Sequence, residues 1–239
     1  REMMLLENMG GGAAILDYDN DTWPDIYLTQ CCKWPVDLND MTYLDRLYRN
    51  LGDGTFVDVT DLCGIRENSY SQGVAAGDFD NDGFTDLYIG NVGQNHLYRN
   101  NGDGTFSLVP HHQDDRILWT TSVMIADLNG DTWPDLFDVN YLTGEDVFTR
   151  HCVVDGQIRS CGPGQFDGEV DSLFLNGGDG TWLDVSDVSG IRTIPGRGVG
   201  AVAADFDASG SLQIYVSNDA MENALWVRQP DASDGAVQF

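Results

Sequence analysis

The sequence predicts an all-β protein, on three observations. A nine-residue acidic segment recurs as Asp17-Tyr-Asp19-Asn-Asp21-Thr-Trp23-Pro-Asp25, Asp78-Phe-Asp80-Asn-Asp82-Gly-Phe84-Thr-Asp86 and Asp127-Leu-Asn129-Gly-Asp131-Thr-Trp133-Pro-Asp135. A worn fourth copy runs from Asp205 through Asp207 and Ser209 to Gln213. Each of the first three is followed by a second motif: Leu47-Tyr-Arg-Asn50 with Gly52-Asp-Gly54, Leu97-Tyr-Arg-Asn100 with Gly102-Asp-Gly104, and Leu173-Phe-Leu-Asn176 with Gly178-Asp-Gly180. No stretch sustains a 3.6-residue apolar period, whereas short alternating apolar stretches flank every acidic segment.

Taken in order, each unit reads as four strands. In the cleanest copy, Gly73-Val-Ala-Ala-Gly77 leads into the acidic loop and Asp86-Leu-Tyr-Ile-Gly90 leads out of it. Leu97–Asn100 is a third strand, and Asp103-Gly104 turns it into a fourth at Thr105–Leu108. Asp-Gly suits the positive φ angles of a tight hairpin. Successive acidic segments start at 17, 78, 127 and 205. Four short strands per roughly 50–60 residues is the period of a propeller blade. The expected architecture is one β-propeller region over 1–239, with four-stranded blades near 10–60, 70–110, 120–187 and 198–239. The last unit is expected to end on an outer strand at Gly235–Phe239. Two insertions, 30–45 and 141–170, fall between the second and third strands of units one and three, so they belong on one face.

Composition narrows the function. Twelve Lys and Arg against 39 Asp and Glu give a formal charge of −27, a surface that repels phosphate backbones and argues against nucleic-acid binding. At 41% hydrophobic residues the chain is too apolar for a disordered acidic tail. No apolar run approaches the roughly 20 residues that span a bilayer. No uncleaved signal peptide is visible, and a start at Arg1 reads as a processed product or a fragment.

The acidic loops read as cation sites. Oxygen side chains at positions one, three, five and nine, with no His or Cys among them, suit a hard divalent ion, and calcium tolerates irregular oxygen shells better than magnesium. The expected ligands are Asp17, Asp19, Asp21 and Asp25; Asp78, Asp80, Asp82 and Asp86; and Asp127, Asn129, Asp131 and Asp135. Position seven adds a backbone carbonyl from Trp23, Phe84 and Trp133. The fourth loop, with Asp205 and Asp207 but Ser209 and Gln213, reads as degenerate, leaving about three Ca2+ sites. The loops are not EF-hands: strands flank them, and position twelve is Leu28, Ile89 or Asp138 rather than Glu. As a bland alternative, Asp, Asn and Gly simply make good turns.

Among the five cysteines, Cys152 and Cys161 bracket a short loop and are expected to pair in an oxidising compartment. Cys31 or Cys32 is a possible partner for Cys63. His111 and His112 lie beside Asp114 and Asp115 in an inter-unit loop. Trp34 and Trp119 are candidates for stacking on a sugar or a partner side chain.

These motifs resemble the FG-GAP repeat of integrin α-subunit propellers and of bacterial VCBS-type repeats. The Leu-Tyr-Arg-Asn-x-Gly-Asp-Gly-Thr-Phe segment, with Glu7-Asn-Met-Gly-Gly-Gly12 before the first loop, is similar to the extracellular cartilage-acidic-protein group with UnbV/ASPIC-like segments. The resemblance implies calcium at the acidic loops, secretion or cell-surface display, and an adhesion or binding role. Such propellers are usually seven-bladed, so the four units either close alone or form an arc completed by other protein or by further copies of the chain. The leading expectation is a calcium-stabilised, non-catalytic extracellular binding or assembly module, with carbohydrate as a further possible ligand. The alternatives are a subunit of an extracellular filament or sheath, and the propeller of a secreted polysaccharide lyase or hydrolase. An enzyme would draw on His111, His112, Tyr141, Arg150 or His151.

Overall fold

In a computed structural model, residues 4–111, 116–229 and 237–239 are described, and they form an all-β fold. The first sheet comprises β1 (Ala13–Leu16), β2 (Asp25–Leu28), β3 (Arg46–Asn50) and β4 (Phe56–Asp58). The second comprises β5 (Tyr70–Gly77), β6 (Asp86–Val92), β7 (His96–Asn100) and β8 (Phe106–Val109). In the third unit come β9 (Thr120–Ala126) and β10 (Asp135–Asn140), then the insertion strands β11 (Leu142–Thr143), β12 (His151–Val154), β13 (Gln157–Ser160) and β14 (Asp167–Gly168). β15 (Ser172–Asn176) and β16 (Trp182–Asp184) complete its four-stranded sheet. The last sheet holds β17 (Gly198–Ala204), β18 (Gln213–Asn218) and β19 (Ala224–Trp226). Neighbouring strands are antiparallel and joined as simple meanders.

The register places every acidic segment in the hairpin between a sheet's first two strands. Leu16 pairs with Asp25, Gly77 with Asp86, Ala126 with Asp135 and Ala204 with Gln213. Position nine is therefore the first residue of the second strand, anchored by the ladder.

Alternation along the strands gives each sheet two apolar faces, and consecutive sheets stack on them. Leu87, Ile89 and Tyr98 face the first sheet and pack with Leu16, Tyr27 and Leu47. Tyr88 and Leu97, on the opposite face, meet Val123, Leu136 and Phe174 of the third sheet. Phe137, Val139 and Leu173 then meet Ile214, Val216 and Trp226 of the fourth. Close approach needs small residues: a Cβ on Gly73 would sit 2.8 Å from the Ser122 Cα. Among the described residues no hydrophobic cluster joins the first sheet to the fourth.

The fourth sheet departs from expectation. It has three strands among the described residues, and Val237–Phe239 forms no outer strand. Val237 and Phe239 are drawn into the core between the third and fourth sheets, and the Phe239 N–H donates to the Ser189 carbonyl at 2.8 Å. Gly235 and Ala236 lie outside the described residues.

The two insertions meet. Trp34, Cys31 and Cys32 from the first join Val147, Phe148, Cys152, Cys161 and Phe166 from the second, over Leu5, Leu6, Tyr70, Trp119 and Tyr141. The Trp34 and Phe148 ring centroids are 4.8 Å apart. Cys152 and Cys161 form a disulfide. Cys31, Cys32 and Cys63 are free, because Cys63 is buried in the core between the first two sheets while the other two sit in the insertion cluster. Trp119 is fully buried and its Nε1 donates to Gln72 Oε1 at 2.7 Å, so it is a core residue rather than a stacking platform.

Candidate metal centres

Each acidic loop is first a hydrogen-bonded turn. Asp17 accepts from the Asp21 and Thr22 N–H groups at 3.0 and 2.8 Å, and Asp21 accepts from Trp23 N–H at 2.9 Å. Asp78 and Asp82 repeat the pattern with Gly83 and Phe84, as do Asp127 and Asp131 with Thr132 and Trp133. Positions four and six adopt left-handed backbone: φ is 53° at Asn20, 75° at Thr22, 56° at Asn81 and 90° at Gly83. Asn and Gly tolerate that region; a β-branched Thr does so under strain.

Position nine closes the loop. Asp25, Asp86 and Asp135 are fully buried, and each accepts two equivalent backbone N–H bonds, Asp135 taking a third from Asn129 at 3.3 Å. One comes from the second loop residue: Tyr18, Phe79 or Leu128 at 3.1, 2.9 and 2.9 Å. The other comes from Asn50, Asn100 or Asn176 of the third strand at 2.8, 2.7 and 3.0 Å. Burial pushes the carboxyls of Asp86 and Asp135 up to about 7, against these hydrogen bonds, and raises Asp25 in the same direction. A nearby cation would favour the ionised forms.

Carboxylate oxygens of Asp17, Asp19 and Asp21 lie within 4.8 Å of one another, as do those of Asp78, Asp80 and Asp86. The position-three residues stand out. Asp19 Oδ1 and Asp80 Oδ1 are buried and have no hydrogen-bond partner. Orphaned buried carboxylate oxygens are costly unless something positive meets them, so the residues present fit a hard cation. Asp25 and Asp82 fall outside these two triads. Among the described residues the third loop makes no such carboxylate triad: its position three is Asn129, whose side-chain amide donates to Asp131 Oδ2 at 2.8 Å. In the fourth loop the Gln213 Nε2 donates to Asp207 Oδ1 at 2.9 Å and to the Ser211 carbonyl, so an amide binds where a carboxylate stands elsewhere.

The position-seven aromatics explain why the two motifs travel together. A Cβ on Gly52, Gly102 or Gly178 would lie 2.7, 2.7 or 2.5 Å from the rings of Trp23, Phe84 or Trp133. The hairpin glycine is thus required both by its positive φ (73°, 75°, 71°) and by the ring resting on it. The Asn of the second motif also ties sheets together: Asn100 Nδ2 donates to the Tyr18 carbonyl at 2.8 Å, and Asn176 Nδ2 to the Phe79 carbonyl at 2.8 Å.

A further repeated position escaped the motif reading. Asp45, Asn95, Asp171 and Asn223 each stand two residues before the third-strand Leu. Their Oδ1 atoms accept from the N–H groups of Gln30, Asn91, Asn140 and Asn218 at 2.7, 2.8, 3.0 and 2.8 Å. They close the end of each sheet remote from its acidic loop.

The residues named for an enzyme are spread over several contacts. The Tyr141 hydroxyl donates to Asp219 at 2.7 Å, Arg150 contacts Asp146 and the Gln165 carbonyl, and His151 opens the disulfide-bridged hairpin. His111 packs edge-on against Tyr88, with centroids 5.3 Å apart. His112 lies outside the described residues.

A family model described as "FG-GAP-like repeat" matches residues 17–89 and 78–137, which together span just over half of the chain. The chain belongs to the FG-GAP-like repeat family. This FG-GAP chain is also similar to cartilage acidic protein 1 of Xenopus tropicalis and of Homo sapiens, at 28% identity over 177 residues in each case. The similarity covers 72% of the chain and 24% of those proteins, so the chain spans about a quarter of the length of the curated relatives it matches. Among solved structures, an Agrocybe aegerita lectin, described as recognising non-reducing terminal N-acetylglucosamine, aligns at a TM-score of 0.40 and 15% identity. That alignment covers 96% of this FG-GAP chain and 65% of the lectin.

Proposed function

We propose that the chain is a calcium-stabilised, non-catalytic segment of an extracellular β-propeller that binds or assembles with other protein. The observation that carries the metal half of this reading is the pair of orphaned, buried oxygens, Asp19 Oδ1 and Asp80 Oδ1, at the same position of two loops. In the first loop Asp17, Asp19, Asp21 and Asp25 would hold the ion with the Trp23 carbonyl. In the second the holders would be Asp78, Asp80, Asp82 and Asp86 with the Phe84 carbonyl. In the third they would be Asp127, Asn129, Asp131 and Asp135 with the Trp133 carbonyl, once Asn129 presents its oxygen. The bound ion would offset carboxylate repulsion and lock the hairpin between the first two strands of each sheet. An extracellular setting is supported by the disulfide and by the similarity to cartilage acidic protein 1.

The binding half rests on the two terminal sheets. Ile15 and Leu28 are 73% and 37% exposed on the first sheet, whereas their repeat equivalents on the second include Ile89 at 0%. Val202 and Leu225 are 51% and 53% exposed on the last sheet, whereas Leu97, equivalent to Leu225, is fully buried. Within the chain these two kinds of face pack on each other. The exposed pair therefore suits another sheet of the same repeat, from another protein or from a further copy of the chain.

Calorimetric titration with Ca2+ and melting in calcium against chelator test the metal reading. Saturable binding and a raised Tm are expected, with a smaller rise in Mg2+. An unchanged Tm on chelation contradicts it. Sedimentation across a concentration series tests the open faces: association weakened by Leu225→Ser supports self-assembly. A monomer at every concentration leaves another protein as the occupant.

A further inference from the structure

The third-strand arginine of the first unit lies against its acidic loop. Arg49 Nη2 donates to Asp21 Oδ2 at 2.8 Å, and its Nε stands 2.6 Å from Asp19 Oδ2. The Nε–H is not aimed along that line, so the second contact is charge on charge. The guanidinium thus takes one oxygen from each of two carboxylates and leaves Asp19 Oδ1 unbonded. Arg99 holds the same place in the second unit.

The third unit lacks both partners of this pairing. Leu175 stands where Arg49 and Arg99 stand, and Asn129 stands where Asp19 and Asp80 stand. The formal charges follow. Counting the four loop positions and the third-strand residue, loops one and two each combine four carboxylates with one arginine, and loop three combines three carboxylates with none. Arg228 of the following sheet, however, reaches the third loop at Gly130 and lines one cavity with Asn129 and Asp131. The first two sets carry a formal net charge of −3, and the third carries −3 before Arg228 is counted. An Asp at position three comes with an Arg on the third strand, and an Asn comes with a Leu.

We propose that Arg49 is a tethered counter-charge that cancels the extra position-three carboxylate of the first loop, holds that loop together when it is ion-free and moderates its cation affinity. This rests on the metal reading above. Arg49 is a positioning residue: it would touch the carboxylates rather than the ion, as outer-shell partners do in metal sites. Without it, Asp19 and Asp21 repel in the ion-free protein, and a more negative loop draws calcium more strongly. At contact-range separations in a water-like dielectric, one unit of charge acting on a divalent ion changes affinity on the order of tenfold.

The test is Ca2+ calorimetry on wild type, Arg49→Met, Arg49→Lys and Asn129→Asp, with melting of each in chelator. Arg49→Met is expected to lower the chelator-state Tm while tightening one class of sites about tenfold. Arg49→Lys, which keeps the charge and loses the fork, should stay within about threefold of wild type. Asn129→Asp adds a fourth carboxylate with no third-strand arginine to match it, so it should also tighten binding and lower the chelator-state Tm. It supplies the same test if Arg49→Met does not fold. Wild-type binding with affinity unchanged or weaker in both Arg49→Met and Asn129→Asp overturns the counter-charge role alone. A wild type that takes up no calcium overturns the metal reading, and this inference with it.

Discussion

Replacing Asn100 by Ala tests how the sheets are joined. Asn100 is fully buried and makes three side-chain hydrogen bonds. Nδ2 donates to the carbonyls of Tyr18 at 2.8 Å and Thr85 at 3.1 Å, and Oδ1 accepts from Gly102 N–H at 3.0 Å. Each bond is worth about 1 kcal/mol net, and a buried carbonyl or N–H left unpaired adds a desolvation penalty of roughly 1–3 kcal/mol. Asn100→Ala should therefore cost about 3–5 kcal/mol. Asn50, at the same motif position in the first unit, makes only its within-unit bonds, to the Pro24 carbonyl and from Gly52 N–H, and it is more exposed. Asn50→Ala should cost about 1–2 kcal/mol. Urea denaturation of both variants, with m-values checked for constancy, gives the comparison. Equal losses would refute the reasoning, because the difference isolates the bond to Tyr18 across the sheet junction.

Other outcomes follow from the same geometry. Gly102→Ala, which meets both a positive φ and the Phe84 ring, should destabilise by about 2–3 kcal/mol. Gly104→Ala, whose nearest neighbour is Tyr18 at 3.9 Å, should cost only about 1 kcal/mol; denaturant midpoints compare them. Thr132→Gly relieves a β-branched residue at φ 80° and should gain about 0.5–1 kcal/mol by the same measurement. Asp138 and Asp171 titrate near 7 in the folded protein because burial opposes their charge, while unfolded aspartates titrate near 3.8. The folded state thus holds protons that the unfolded state releases between about pH 4 and 7, so this contribution to stability falls as pH rises through that window. Asp138→Asn should flatten the slope, read as urea midpoints in chelator at pH 5 and 7.5.

Much of this was legible in the sequence because the repeats state their own alignment. Four acidic segments set the strand pairs, and Leu47, Leu97 and Leu173 marked the third strands. What stayed hidden depended on contacts between repeats or between distant loops. That Trp23 rests on Gly52 follows from folding the hairpin, although the occurrence of both motifs in each of the first three units was the available clue. Asp45, Asn95, Asp171 and Asn223 share a fixed offset from a motif Leu, but Asx residues are so common that the offset carried no weight without the N–H groups they accept from. Trp119 looked like an exposed aromatic because nothing local reveals that two insertions close over it. The Val237–Phe239 segment looked like a strand; its Gln238 carbonyl accepts from the Gln229 N–H at 2.8 Å, while Val237 and Phe239 turn into the core.

The central claim is that the acidic hairpins hold hard cations. Anomalous diffraction from crystals grown in a calcium-site lanthanide such as terbium addresses it most directly. Peaks are expected inside the hairpins, each about 2.3–2.6 Å from Asp19 Oδ1 or Asp80 Oδ1. Hairpins free of density at saturating metal, with those two oxygens hydrogen-bonded to water or protein, would contradict it.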